Sequence, residues 1–186
     1  METAVKVWSD EELMALPQDG FKRELLNGDI IMSPAGSEHG YISFLLLLAL
    51  GRLVDPQRLG VVFDSSTGLR LTPDDVLSPD VAFVSKARLA GLKRPPRGFF
   101  IGAPDLVVEV LSPTDSAERM HEKLVLYFAH GTRLAWVINP AERNALVYRG
   151  PEADRLLRGT DALDGEDVLP GFRLPLVELF AELSFA

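Results

Sequence analysis

The 186-residue chain contains no cysteine, which excludes disulfides, zinc–thiolate sites, thiol nucleophiles and Cys-ligated iron–sulfur clusters. Histidine is scarce, and His39, His121 and His130 lack the spacing of a zinc site. Long apolar runs are missing too: the most apolar stretch, residues 41–50, is far shorter than the ~20 residues of a membrane-spanning helix. The opening METAVKVWSDEEL lacks the basic-then-apolar order of a signal peptide, so a cytoplasmic location without membrane attachment is expected. Basic residues are the minority charge, 19 Lys and Arg against 27 Asp and Glu, for a net charge of −8. That balance weighs against a general phosphate binder but permits a local basic strip beside an acidic site. Phosphate loops, dinucleotide fingerprints, Ser-His-Asp groupings, internal repeats and helix-turn-helix or zinc-finger readers are all absent.

What is present suits a single folded domain over residues 1–186, with 47% hydrophobic and 25% charged residues. Ser9 before Asp10, Glu11 and Glu12 has the chemistry of a helix cap and first turn, and that helix should stop near Pro17. FKRELLNGDIIMSP reads as a hairpin turning at Asn27-Gly28. Residues 37–54, with four consecutive leucines at 45–48, predict a helix buried on several sides beneath a sheet. VVFDSS, GLRL, a TPDD turn and VLSPDVAFV predict an antiparallel meander over residues 60–84. A basic loop follows over residues 86–102. DLVVEVL, residues 105–111, reads as a central strand buried on both faces. A helix over residues 115–130 stopped by Gly131, the strand LAWVINP, the runs ALVYRG and DRLLRG, and a closing LVELFAEL helix complete the pattern. The fold class expected is α/β (α+β): a mixed β-sheet flanked by helices, with added antiparallel strands.

Asp80 in SPDVAFV and Glu109 in DLVVEVL both stand among residues that should be buried. A lone carboxylate there costs several kcal/mol unless it is paired, protonated or bound to a cation. Two such strands suggest a shared ion. Mg²⁺, or Mn²⁺, fits, since it takes hard oxygen ligands, one or two carboxylates and several waters, and the Val110 carbonyl could add a further ligand. A cation to orient the attacking water would naturally sit at residue 111, on the face of Glu109, but Leu111 stands there. Lys123, in the run HEKLVLY on the next helix, could reach back instead.

In the order SPD, PDLVVEVLSP, HEKLVLY and AWVINP, the chain resembles the PD-(D/E)XK nuclease superfamily and, more narrowly, its Uma-type restriction-endonuclease family. The similarity runs from Phe21 to Pro140 and includes RELLNGDI and the SPAGSEHG turn. It implies a restriction-endonuclease-like core with Asp80 and Glu109 binding the metal, Lys123 orienting the nucleophile or stabilising charge, and Glu24 as an accessory acid. A histidine at the entry of the long helix falls at His39, an accessory position. Leu111 replaces the usual lysine, as in the subgroup that supplies it from the helix, and Asn139 stands where relatives often have Asp.

Each residue also has a plainer reading. Asp80 after Pro79 can be a turn or cap residue, Glu109 can sit at an edge or pair with an arginine, Lys123 can be a solvated helix residue paired with Glu122 or with acids one turn away, Glu24 can pair with Lys22 or Arg23, and His39 with Glu38 can cap its helix. The function expected is a Mg²⁺-dependent DNA endonuclease. Lys86, Arg88, Lys93, Arg94 and Arg97 are its candidate phosphate contacts, and a homodimer would be needed to cut both strands. The rivals are a catalytically idle binding or assembly module of the same fold and a metal-dependent hydrolase of another phosphate ester.

Overall fold

The computed structural model describes residues 6–17, 19–33 and 36–181. Asn27 and Gly28 both take positive φ, 53° and 84°, as a two-residue hairpin turn requires. They join β1 (Lys22–Leu26) to β2 (Asp29–Ser33) in the predicted antiparallel register. Ahead of this hairpin, Ser9 and Glu12 form a reciprocal capping box on α1 (Asp10–Met14). Parts of three sequence readings lie outside the described residues: the chain start at 1–5, the SPAGSEHG turn at 34–35, and the end of the closing helix at 182–183.

The remaining elements are α2 (Ser37–Gln57), β3 (Gly60–Asp64), β4 (Leu69–Thr72), β5 (Asp75–Leu77), β6 (Val81–Ser85), β7 (Phe100–Ile101) and β8 (Leu106–Val110), then α3 (Ala117–Ala129), β9 (Leu134–Asn139), β10 (Asn144–Tyr148), β11 (Ala153–Arg158), β12 (Ala162–Asp164), β13 (Arg173–Pro175) and α4 (Leu176–Ala181). Six strands form one mixed sheet in the order β11-β10-β9-β8-β6-β3, and five form a second, β2-β1-β5-β4-β7. Within the six-stranded sheet only β8 and β9 run parallel, and α3 supplies the crossover that a parallel pair needs.

The predicted meander is corrected here. VLSPDVAFV is two strands, not one: β5 pairs with β1 and β4 in the smaller sheet, while β6 crosses to pair with β3 and β8 in the larger. The break falls at Ser78-Pro79-Asp80, where proline withholds a ladder donor and lets the chain change sheets.

Alternation along β6 divides the core. Val81 and Phe83 pack towards α2, with Val108, Leu134 and Trp136, whereas Ala82 and Val84 join Leu69 and Phe100 of the smaller sheet. Beside that sheet, α3 lays Leu124 and Tyr127 on Val107, Ala135 and Val137. The smaller sheet and α3 therefore share one face of the larger sheet, and α2 takes the other.

The expected burial of α2 on several sides narrows to one fully covered stripe, with Leu45, Leu47, Ala49 and Leu53 partly buried against the same core. Only Ile42, Leu46, Leu50 and Val54 are fully covered, a stripe at spacing four worth roughly 1.5–3 kcal/mol per side chain, while Phe44 and Leu48 are exposed.

Two glycines test this packing with opposite signs. A Cβ on Gly60 would strike the Val84 carbonyl oxygen and come within 2.9 Å of the Phe83 ring, whereas one on Gly51 of α2 meets nothing within 4 Å. Gly60→Ala should lower stability by about 1–3 kcal/mol. Gly51→Ala should raise it by about 0.5–1 kcal/mol. Urea midpoints with unchanged slopes check both.

Candidate active site

Extending the register that pairs Val81 with Val108 by one residue brings Asp80 opposite Glu109. Both side chains are buried, on the face of the larger sheet that meets α3. From the smaller sheet, β1 turns Lys22 and Glu24 into the same space, with Leu26 farther along the same face in the α3 core. On α3, Lys123 and Tyr127 stand one turn apart on the buried stripe.

The Lys123 ammonium lies 2.8 Å from Glu109 Oε1 and 3.1 Å from Glu24 Oε2. Tyr127 donates its hydroxyl to Glu109 Oε1 at 3.0 Å, and the Ser78 amide donates to Glu24 Oε1 at 2.7 Å. Around Asp80, Lys22 donates to Oδ1 at 2.9 Å, and the Val110 amide donates to Oδ2 at 2.7 Å. His39 Nε2 stands 3.0 Å from the same Oδ2, and because a carboxylate only accepts, that nitrogen carries the proton. Three buried acids are thus held by two ammonium groups, a histidine, a phenol and two amides.

The pairing settles the charge states. Burial alone would raise the Asp80 carboxyl, but the His39 hydrogen bond, the Lys22 charge and the Val110 amide together hold it well below the usual carboxylate range. Burial pushes Glu109 up, against the pull of Lys123 and Lys22. Lys123 meets the same desolvation, yet the charges of Glu109 and Glu24 outweigh it and keep the ammonium protonated far into alkali. Desolvation and the Glu109 charge likewise lift Tyr127 well above a free phenol. Neither Lys123 nor Tyr127 is therefore poised to accept a proton from water at neutral pH.

These groups open into a cavity of about 260 Å³ between β1, β2, the end of β8 and the start of α3. No group of three or more His, Asp or Glu side chains forms a ready metal cage among the described residues. The donor set nonetheless fits a hard divalent cation of the Mg²⁺ type, which needs only one or two carboxylates and room for its own waters. Val110 adds to the fit: its amide points at Asp80, and in extended chain its carbonyl leaves on the same side. Lys22 already places one positive charge on Asp80 Oδ1, so a metal at that oxygen would have to displace it.

The sequence-predicted residues Glu24, His39, Asp80, Glu109, Val110 and Lys123 converge here, and Lys123 pairs across the fold instead of with Glu122. Lys22 and Tyr127 were missed, although strand alternation from Glu24 and helical spacing from Lys123 mark both. The basic loop is placed otherwise. It leaves the C-terminal end of β6, five residues from Asp80 and so ~17 Å along an extended strand. None of Lys86, Arg88, Lys93, Arg94 and Arg97 lines the cavity. Arg88 is committed elsewhere, pairing with buried Asp105 at 2.9 Å and donating to the Ala103 and Gly131 carbonyls, which removes it from the candidate phosphate contacts.

His39 makes stability depend on pH with a definite sign. Its hydrogen bond to Asp80 raises its pKa in the fold against the opposing effect of burial, so its contribution is complete below the unfolded value of about 6.5 and declines as pH rises through the folded one. Asp80, lowered in the fold, contributes fully above about 4 and loses its share only in stronger acid. Urea midpoints of the metal-free protein should fall as pH rises through the His39 titration, and His39→Gln should flatten that limb and shrink the acid limb, which Lys22 and the Val110 amide alone would then sustain.

Residues 10–177 match the sequence profile of the Uma2 family, described as "Putative restriction endonuclease". Among solved structures, the fold is similar to a crystal structure of "a putative nuclease belonging to DUF820" from Anabaena variabilis ATCC 29413, with a TM-score of 0.80 and 24% identity, covering 95% of this chain and 99% of that one. No curated protein matches the chain. No helix among the described residues is long and apolar enough to cross a membrane. With the family profile spanning nearly the whole sequence, this chain belongs to the Uma2 family.

Proposed function

We propose that the protein is a metal-dependent DNA endonuclease whose centre comprises Asp80, Glu109 and Lys123, with Glu24, Lys22 and His39 as positioning residues. The observation that carries this reading is the Lys123 ammonium held between Glu109 and Glu24, with Asp80 facing Glu109 across the strand pair. Asp80, Glu109 and the Val110 carbonyl would hold Mg²⁺ or Mn²⁺. Such an ion supplies a bound water of lowered pKa and neutralises phosphoryl oxygens. Lys123, whose ammonium Glu109 and Glu24 keep protonated, would orient an attacking water and stabilise the anionic transition state. Tyr127 and Glu24 fix where Lys123 and Glu109 point, and His39 with the Val110 amide fixes Asp80.

Lys86, Lys93, Arg94 and Arg97 would meet DNA only where a duplex runs past the far end of β6. Double-strand cleavage requires two such centres and hence a second copy of the chain. One observation favours an idle binding module instead: Lys22 already neutralises Asp80.

Plasmid cleavage with Mg²⁺ or Mn²⁺ separates the two readings. Wild type should nick or cut, Asp80→Asn and Glu109→Gln should lose both cleavage and the heat of metal binding, and Lys123→Gln should lower kcat by on the order of 10²–10³-fold while still binding metal. A wild type that binds neither metal nor DNA would leave the endonuclease reading without support. Removing Lys123 also strands two buried acids, at a cost on the order of 3–5 kcal/mol, so folding of that variant must be checked by urea denaturation.

A further inference from the structure

Three cations line the cavity: Lys22, Lys123 and Arg119. The two lysines are bound to its acids, whereas Arg119 is exposed in the first turn of α3, where its backbone amide donates to Ser116 but its guanidinium has no hydrogen-bond or ion-pair partner among the described residues. Other described arginines, such as Arg52 and Arg94, are also unpaired, but Arg119 is the one among them that lines the acid-lined cavity. Arg119 precedes Lys123 by four positions, so it shares that face of α3 and sits one turn, about 5.4 Å, nearer the cavity mouth. Cap residue Ser116 and the Ser112 and Thr114 hydroxyls line the same mouth. The basic loop at the far end of β6 leaves this mouth without any other free cation among the lining residues.

We propose that Arg119 is a substrate-positioning residue that grips the phosphodiester next to the one being cut, through the planar fork of its guanidinium. This rests on the endonuclease reading and adds to it a second phosphate subsite, one helical turn out from Lys123. Because that neighbouring phosphate carries the same charge before and during the reaction, Arg119 acts on KM and binding, whereas Lys123 acts on kcat. Its exposure and unpaired guanidinium mean that replacing it leaves the urea midpoint essentially unchanged.

The test measures binding of a short duplex oligonucleotide to the full chain in EDTA over a series of salt concentrations, together with steady-state cleavage in Mg²⁺. Arg119→Gln is expected to weaken binding roughly tenfold. It should also reduce the slope of log affinity against log salt by about 0.9, and raise KM with kcat unchanged. Arg119→Lys, which keeps the charge, should restore the salt slope. If wild type binds and cuts but Arg119→Gln matches it in slope and KM, the Arg119 subsite is overturned and the endonuclease reading stands. If wild type neither binds nor cuts the duplex, both fall together.

Discussion

One ammonium group, that of Lys123, holds the two halves of the molecule to a common geometry. It is buried between Glu24 of the smaller sheet and Glu109 of the larger. Ions that have left water carry a penalty of several kcal/mol each, which is offset only while the partners stay within contact. The tyrosine on Glu109 and the amide on Glu24 exist because each carboxylate has more lone pairs than a single lysine can satisfy. Apolar packing brings the smaller sheet and α3 onto the larger sheet, and the Lys123 contacts fix how Glu24 and Glu109 face each other across that seam.

Legibility in the sequence followed the strength of the local constraint. Asn27-Gly28 announced its hairpin because few other pairs tolerate two positive φ values. Asp80 and Glu109 announced themselves because a charge in an apolar strand demands an explanation, and the order of motifs around them pointed to the same fold. Lys123 could be singled out in the run HEKLVLY, but its partners could not, because they lie 99 and 14 positions away on other elements. The exchange of sheets at Pro79 was hidden because VLSPDVAFV has β character throughout, and which strand each half joins depends on long-range pairing. The four leucines of α2 overstated its burial, since a run of one residue type carries no periodicity.

The basic loop gives the complementary lesson. Its cations cluster in sequence, which suggests a phosphate-binding strip, while in the fold Arg88 pairs with Asp105 and the loop leaves the end of β6 away from the cavity. The centre takes its positive charge from residues that look ordinary in sequence, one on β1 and two on α3. A net charge of −8 says little about such a site, because the field within a narrow cavity is set by the few groups lining it.

The groups around Asp80 and Glu109 come from chain positions 22 to 127, brought together by two sheets and two helices. Closing loops of that length comes late, after local hairpins and helices have formed. A chain still emerging during synthesis can form the 22–33 hairpin and α2, yet it has no complete centre until α3 has docked. The centre is therefore complete only after elements from β1 through α3 have assembled, so its chemistry is tied to long-range assembly and not to any local segment.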